Sequence, residues 1–187
     1  MIRAVVLCGG ESKRMGTDKG MLPFGTDNWA TLAFRKLKQL NIPVCVSINP
    51  MQLPTYSHFF SSSQLVIDQT NAKGPLKGLL STHLQYPNDD LLLLACDMTD
   101  MDTETLKALL DARISFPGFD HYLYERDEFI EPLCAIYTSS SLKMFYHELI
   151  ADSLPSFSMH KLIKKGNYKT LPLHKLQTFS NHNTATI

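Results

Sequence analysis

Short apolar runs alternate with amphipathic segments along the first two-thirds of the chain. Residues 4–8, 44–48, 64–67 and 91–95 are apolar stretches of strand length, and the last is uninterrupted, as a central parallel strand covered on both faces requires. Between them, residues 31–40 carry Leu32, Phe34, Leu37 and Leu40 at roughly a helical period, and Asn41-Ile42-Pro43 ends that segment. Residues 76–84 follow Gly74-Pro75, with the proline well placed to open a helix. Residues 103–110 read as a third helix, with Asp102 or Thr103 as N-cap and Glu104 favourable in the first turn. The order β-α-β-α-β-α-β predicts a parallel α/β sheet with helices on both faces.

Beyond Ile114 the pattern becomes mixed. Residues 121–124 and 133–137 read as strands around a charged turn at 125–128, residues 139–150 and 162–165 as helices, and residues 168–171 as a late strand. An antiparallel addition to the sheet fits this half. With no linker, repeat or low-complexity tract, residues 1–187 are expected to form a single domain.

Composition changes the picture mainly by exclusion. At 44% hydrophobic and 19% charged, the chain has a globular balance. Lys plus Arg equals Asp plus Glu at 18 each, so no global field favours nucleic acid or an anionic membrane surface. Any anion recognition must be local. The apolar run before Gly9-Gly10 is too short for a signal peptide or a membrane span, and a cytoplasmic protein is expected. Cys8, Cys45, Cys96 and Cys134 form no C-x-x-C pair and sit in or beside apolar runs, so buried reduced thiols are expected rather than a zinc site.

Three segments carry candidate chemistry. The first is Leu7-Cys8-Gly9-Gly10-Glu11-Ser12-Lys13-Arg14-Met15-Gly16-Thr17-Asp18-Lys19, at the carboxyl end of the first strand, where open α/β sheets bind ligands. Adjacent glycines allow close backbone approach and offer N–H groups to anionic oxygens. Lys13, Arg14 and Lys19 supply the cations that a triphosphate needs. The spacing is neither that of a Walker A loop nor that of a dinucleotide fingerprint. The second, Gly74-Pro75-Leu76-Lys77-Gly78, falls after the third strand beside Asp68. The third is the apolar run ending in Cys96-Asp97, which sets a carboxylate at the same sheet edge. Mg²⁺ is commonly held by one or two carboxylates together with substrate phosphates and water, which makes Asp97 the metal-ligand candidate. The plainer reading of each is a glycine turn with solvated charges, helix punctuation and a capping acid. Their convergence on one edge argues for phosphate and Mg²⁺.

On these residues the chain resembles the molybdenum cofactor guanylyltransferases, the MobA-like branch of the nucleotidyltransferases. The family pattern L-A-G-G-x-S-x-R-M-G-x-D-K stands at residues 7–19, G-P-L-x-G at 74–78, C-D-x-P as Cys96-Asp97-Met98-Thr99, and F-x-N-x-N-T as Phe179-Ser180-Asn181-His182-Asn183-Thr184. The resemblance implies a Rossmann-like three-layer α/β/α fold with a mostly parallel central sheet. It also implies transfer of GMP from GTP to molybdopterin with release of pyrophosphate. By position it implies nucleotide contacts at Leu7, Cys8, Gly9, Gly10, Lys19, Asp68, Gly74 and Asp97, with Mg²⁺ at Asp97. Arg14, Lys19 and Asp97 would be catalytic, residues 47–49 would lie beside the base or ribose, and Asn181 and Asn183 would lie toward the pterin acceptor. Partners implied are GTP, molybdopterin, other proteins of molybdenum cofactor biosynthesis and apo-molybdoenzymes, with no nucleic acid or membrane.

The chain departs from the pattern in having Cys8 for alanine, Thr99 for proline, and Asn183-Thr184-Ala185-Thr186-Ile187 where the family usually continues N-T-P-E into a terminal helix. Competing readings are a molybdenum cofactor cytidylyltransferase or a sugar-phosphate nucleotidyltransferase, a catalytically inactive GTP-binding accessory protein, and a purely structural domain. Gly9-Gly10 favours guanine, because cytidylyl relatives typically read Ala-Gly.

Overall fold

The computed structural model describes residues 1–9, 18–127 and 129–172. The strands are β1 (Ile2–Leu7), β2 (Pro23–Phe24), β3 (Asp27–Asn28), β4 (Val44–Ile48), β5 (Leu65–Ile67), β6 (Asp90–Ala95), β7 (His121–Arg126), β8 (Phe129–Tyr137) and β9 (Tyr168–Pro172). The helices are α1 (Trp29–Lys38), α2 (Leu53–Tyr56), α3 (Pro75–Gln85), α4 (Thr103–Ser115), α5 (Ser139–Ile150) and α6 (Met159–Ile163). Seven strands form one sheet in the order β5-β4-β1-β6-β8-β7-β9, and β2 and β3 form a small separate hairpin. β1, β4, β5 and β6 are parallel, β8 runs antiparallel to both β6 and β7, and β9 is parallel to β7. The sheet is therefore mostly parallel with one reversed strand.

Side-chain alternation divides the core into two layers, since successive strand residues point to opposite faces. Ala4, Val6, Leu92 and Leu94 pack with Ala30 and Leu37 of α1 and with Leu106 and Leu109 of α4. Val5, Leu7, Leu91 and Leu93 pack on the other face with Leu76, Leu79 and Leu80 of α3, Leu142 and Phe145 of α5, and α6. This two-sided burial explains why β6 reads as unbroken leucine.

Local chemistry sets the helix boundaries. Asn28 and Thr31 form a reciprocal capping box, which starts α1 two residues before the apolar periodicity begins. Asp102 accepts from Thr105 N–H at 2.7 Å and is the N-cap of α4. Thr138 caps α5. Gly74 adopts φ +60° immediately before Pro75, a backbone state that an L side chain resists. The β2–β3 hairpin and α2 were not legible as elements, because two-residue strands and a single helical turn leave no periodicity to read.

Candidate active site

The chain order reverses between β1, whose neighbour β4 follows it in sequence, and β6 on its other side. Crevices at such a switch point, outside the carboxyl ends of the strands, are where open α/β sheets take ligands. Leu7, Cys8 and Gly9 lie at the end of β1, residues 47–49 at the end of β4, Asp68 just past β5, and Asp97 just past β6.

One half of the crevice is built around Asp68. Its N–H continues the sheet by donating to the Ile48 carbonyl at 2.8 Å. Its carboxylate accepts from Ser47 Oγ at 2.9 Å and is 8% exposed as a residue. Burial pushes the Asp68 pKa up, while the Ser47 hydrogen bond and the Lys77 charge oppose that shift. A Cβ on Gly9 would sit 2.6 Å from Asp68 Oδ2. One on Gly78 would sit 2.3 Å from Ser47 Oγ and 2.5 Å from Leu7 Cδ1. Both glycines are therefore required by close approach. Gly78 is the last residue of the Gly-Pro-Leu-x-Gly segment, and its packing against Ser47 joins α3 to β4.

The other half joins the first loop to β6. Lys19 Nζ lies 3.2 Å from Asp97 Oδ2 across 78 residues of sequence, with both side chains partly exposed. Because Asp102 serves as the α4 cap, Asp97 is not needed for that role. On β8, burial pushes the Glu131 pKa up; the Leu133 N–H opposes the shift and the Asp97 charge adds to it. Glu131 Oε1 is engaged by that N–H at 2.9 Å.

Some expected contacts look different in three dimensions. The N–H groups of Cys8 and Gly9 both donate to the Ser47 carbonyl at 3.0 Å, extending the ladder inward rather than offering themselves to an anion. Leu7 packs its side chain into the core. The Cys8 thiol is buried beside Cys96 and Tyr56, and burial pushes its pKa well up, which leaves it a poor nucleophile. All four cysteines are buried and unbridged, as expected. Asn49 is occupied as a cap, its Oδ1 accepting from Met51 N–H at 2.9 Å and Gln52 N–H at 3.2 Å. Gly74 is exposed at the start of α3. Gly10, Arg14, Asn181 and Asn183 lie outside the described residues.

Sequence reasoning placed residues 47–49 beside the base or ribose but gave Ser47 no partner, and it passed over Gly78 as a close-approach glycine, Glu131, and the partners of Asp18. Gly78 had a signal in its motif position, whereas the others are defined only by contacts between distant segments.

A mostly parallel sheet whose switch-point edge gathers a close-approach glycine, a buried carboxylate and a carboxylate–ammonium pair defines an open α/β protein with its ligand site at that edge. The chain belongs to the MobA-like NTP transferase domain family, whose family model matches residues 4–165. It is 31% identical over 166 residues to a Clostridium perfringens protein described as "Probable molybdenum cofactor guanylyltransferase", covering 86% of this chain and 75% of that one. The fold superposes with TM-score 0.78 and 18% identity on molybdopterin-guanine dinucleotide biosynthesis protein A from Archaeoglobus fulgidus, covering 98% of this chain and 93% of that one. A Mycobacterium tuberculosis protein solved in complex with manganese shares the fold at TM-score 0.65 and 11% identity, covering 92% of this chain and 88% of that one. The chain is thus a nucleotidyltransferase similar to those of molybdenum cofactor biosynthesis. Among the described residues, no helix is long and apolar enough to cross a membrane.

Proposed function

We infer that the chain transfers GMP from GTP to molybdopterin and releases pyrophosphate. The observation that carries this reading is the meeting of Lys19 and Asp97 at 3.2 Å beside the Asp68–Gly9 crevice, since no local sequence feature requires these segments to meet. In the reaction, a terminal phosphate oxygen of the pterin forms a bond to the α-phosphorus of GTP, and the bond from that phosphorus to the β-phosphate bridging oxygen breaks. Lys19 neutralises phosphate charge as it develops. A carboxylate at Asp68 offers acceptor oxygens that would match the adjacent N1–H and N2–H donors of guanine better than the mixed edge of cytosine.

Among the described residues, no group of three or more His, Cys, Asp and Glu side chains could hold a metal alone. A lone strand-end carboxylate suits Mg²⁺ that arrives with the triphosphate and keeps water and phosphate ligands. Asp97 would hold that ion, which supplies Lewis-acid stabilisation of phosphate charge when bound. Arg14 would add a second cation, and Asn181 and Asn183 would face the acceptor. The same reading takes residues 1–187 as one cytoplasmic domain with apo-molybdoenzymes and other cofactor-biosynthesis proteins as partners.

Isothermal titration with GTP and with CTP, each with and without Mg²⁺, tests this. Mg²⁺-dependent preference for GTP is expected. Preference for CTP moves the chain to the cytidylyl relatives, and binding of GTP without pyrophosphate release in the presence of molybdopterin makes it an inactive accessory protein.

A further inference from the structure

The crossover from β4 to β5 reaches back to the first loop through two side chains. Gln52 is fully committed. Its Nε2 donates to the Cys8 carbonyl at 3.1 Å and to Asp18 Oδ2 at 2.8 Å, and its Oε1 accepts from Asn49 N–H at 2.8 Å. Asp18 Oδ1 accepts from Gly20 N–H at 3.0 Å and from Tyr56 OH at 3.2 Å. Tyr56 is wholly buried, and burial first, then the charges of Cys8 and Asp18, push its phenol pKa up, so it stays a donor. A Cβ on Gly20 would lie 2.1 Å from the Tyr56 oxygen, so the turn accepts nothing larger than glycine there.

Both ends of the first loop, Cys8 and Asp18, are therefore held by one amide. Asp18 also caps the short 3-10 turn Lys19–Met21, which fixes the backbone from which Lys19 reaches Asp97. A flexible four-carbon ammonium neutralises a phosphate well only if its origin is fixed beforehand.

We propose that Asp18, Gln52 and Tyr56 form a latch that pins the two ends of the first loop and positions Lys19 for the triphosphate. These are positioning residues; they act chiefly through Lys19, and on the nucleoside side of the crevice Gln52 bonds only backbone, the Cys8 carbonyl and the Asn49 N–H. The proposal rests on the reading of this edge as a nucleoside triphosphate site.

The test is calorimetric titration of GTP·Mg²⁺, CTP·Mg²⁺ and guanosine into the wild type and variants, with thermal melting of each. Gln52→Met keeps the side-chain length and removes both donors. It is expected to lose about tenfold in affinity for whichever triphosphate the wild type binds, with a clearly smaller loss for guanosine. Gln52→Glu sets two carboxylates against each other. Its deficit relative to wild type is expected to be larger at about pH 7.5 and to shrink toward that of Gln52→Met at about pH 5, as the pair takes up a proton. Tyr56→Phe removes one hydroxyl, keeps the ring, and serves if a Gln52 variant fails to fold; the same selective loss is expected. Equal losses for triphosphate and guanosine, or unchanged triphosphate affinity in folded variants, overturn the latch alone. A wild type that binds neither triphosphate overturns the nucleotide reading and the latch with it.

Discussion

His121 should make the protein acid-sensitive through one identifiable proton. It opens β7 at the sheet edge opposite the crevice, is 0% exposed, and neither ring nitrogen has a hydrogen-bond partner among the described residues. Its ring stacks on Phe145 at 5.6 Å and meets Tyr137 edge-on at 5.2 Å. Burial lowers its pKa from 6.5 to about 4, with the Asp120 charge opposing. The unfolded chain therefore binds this proton from about pH 6.5 downward, whereas the folded chain binds it only near pH 4. Stability is fully present above the unfolded pKa, falls as pH drops through the interval between the two values, and levels off below the folded pKa. The interval of about 2.5 units corresponds to about 3 kcal/mol, with a slope of at most about 1.4 kcal/mol per pH unit. His121→Phe keeps an aromatic ring on Phe145 and removes the proton. The assay is urea unfolding of both proteins from pH 7.5 to 4. The stability difference between them should change by about 3 kcal/mol across that range, because carboxylates and the other histidines contribute equally to both. Parallel pH profiles for the two proteins would refute the reasoning.

Three further outcomes follow from the site. Asp97→Asn should fold normally, as judged by melting temperature, yet lose the Mg²⁺-dependent part of its GTP affinity in titrations with and without EDTA; unchanged Mg²⁺ dependence would leave Asp97 a structural role. Gly9→Ala places a methyl group 2.6 Å from Asp68 Oδ2 and should cost about 1–3 kcal/mol of stability by overpacking, measured by denaturant unfolding, together with nucleotide affinity measured by calorimetry. Thr99 carries a buried hydroxyl oxygen with no hydrogen-bond partner among the described residues, so Thr99→Val should raise unfolding free energy by about 1 kcal/mol in the same denaturant assay.

The sequence by itself determined the regular frame. Apolar runs separated by helical periodicity gave the parallel half of the sheet, and β4 and α5 fall on the expected residues, because burial on one or two faces writes a periodic signal into the chain. It also marked the loop, the Gly-Pro segment and the strand-end acid as one chemical edge, since strand polarity dictates which ends share it. Tertiary structure alone decided which of those groups are available. The sequence could not reveal that the N–H groups of Cys8 and Gly9 turn inward to Ser47 or that Asn49 serves as a cap, and it left the α4 cap open between Asp102 and Thr103. Nor could it pair Asp18 with Gln52 and Tyr56, or Ser47 with Asp68. Such assignments depend on hydrogen bonds between residues tens of positions apart, and a single polar side chain carries no periodicity that announces its partner.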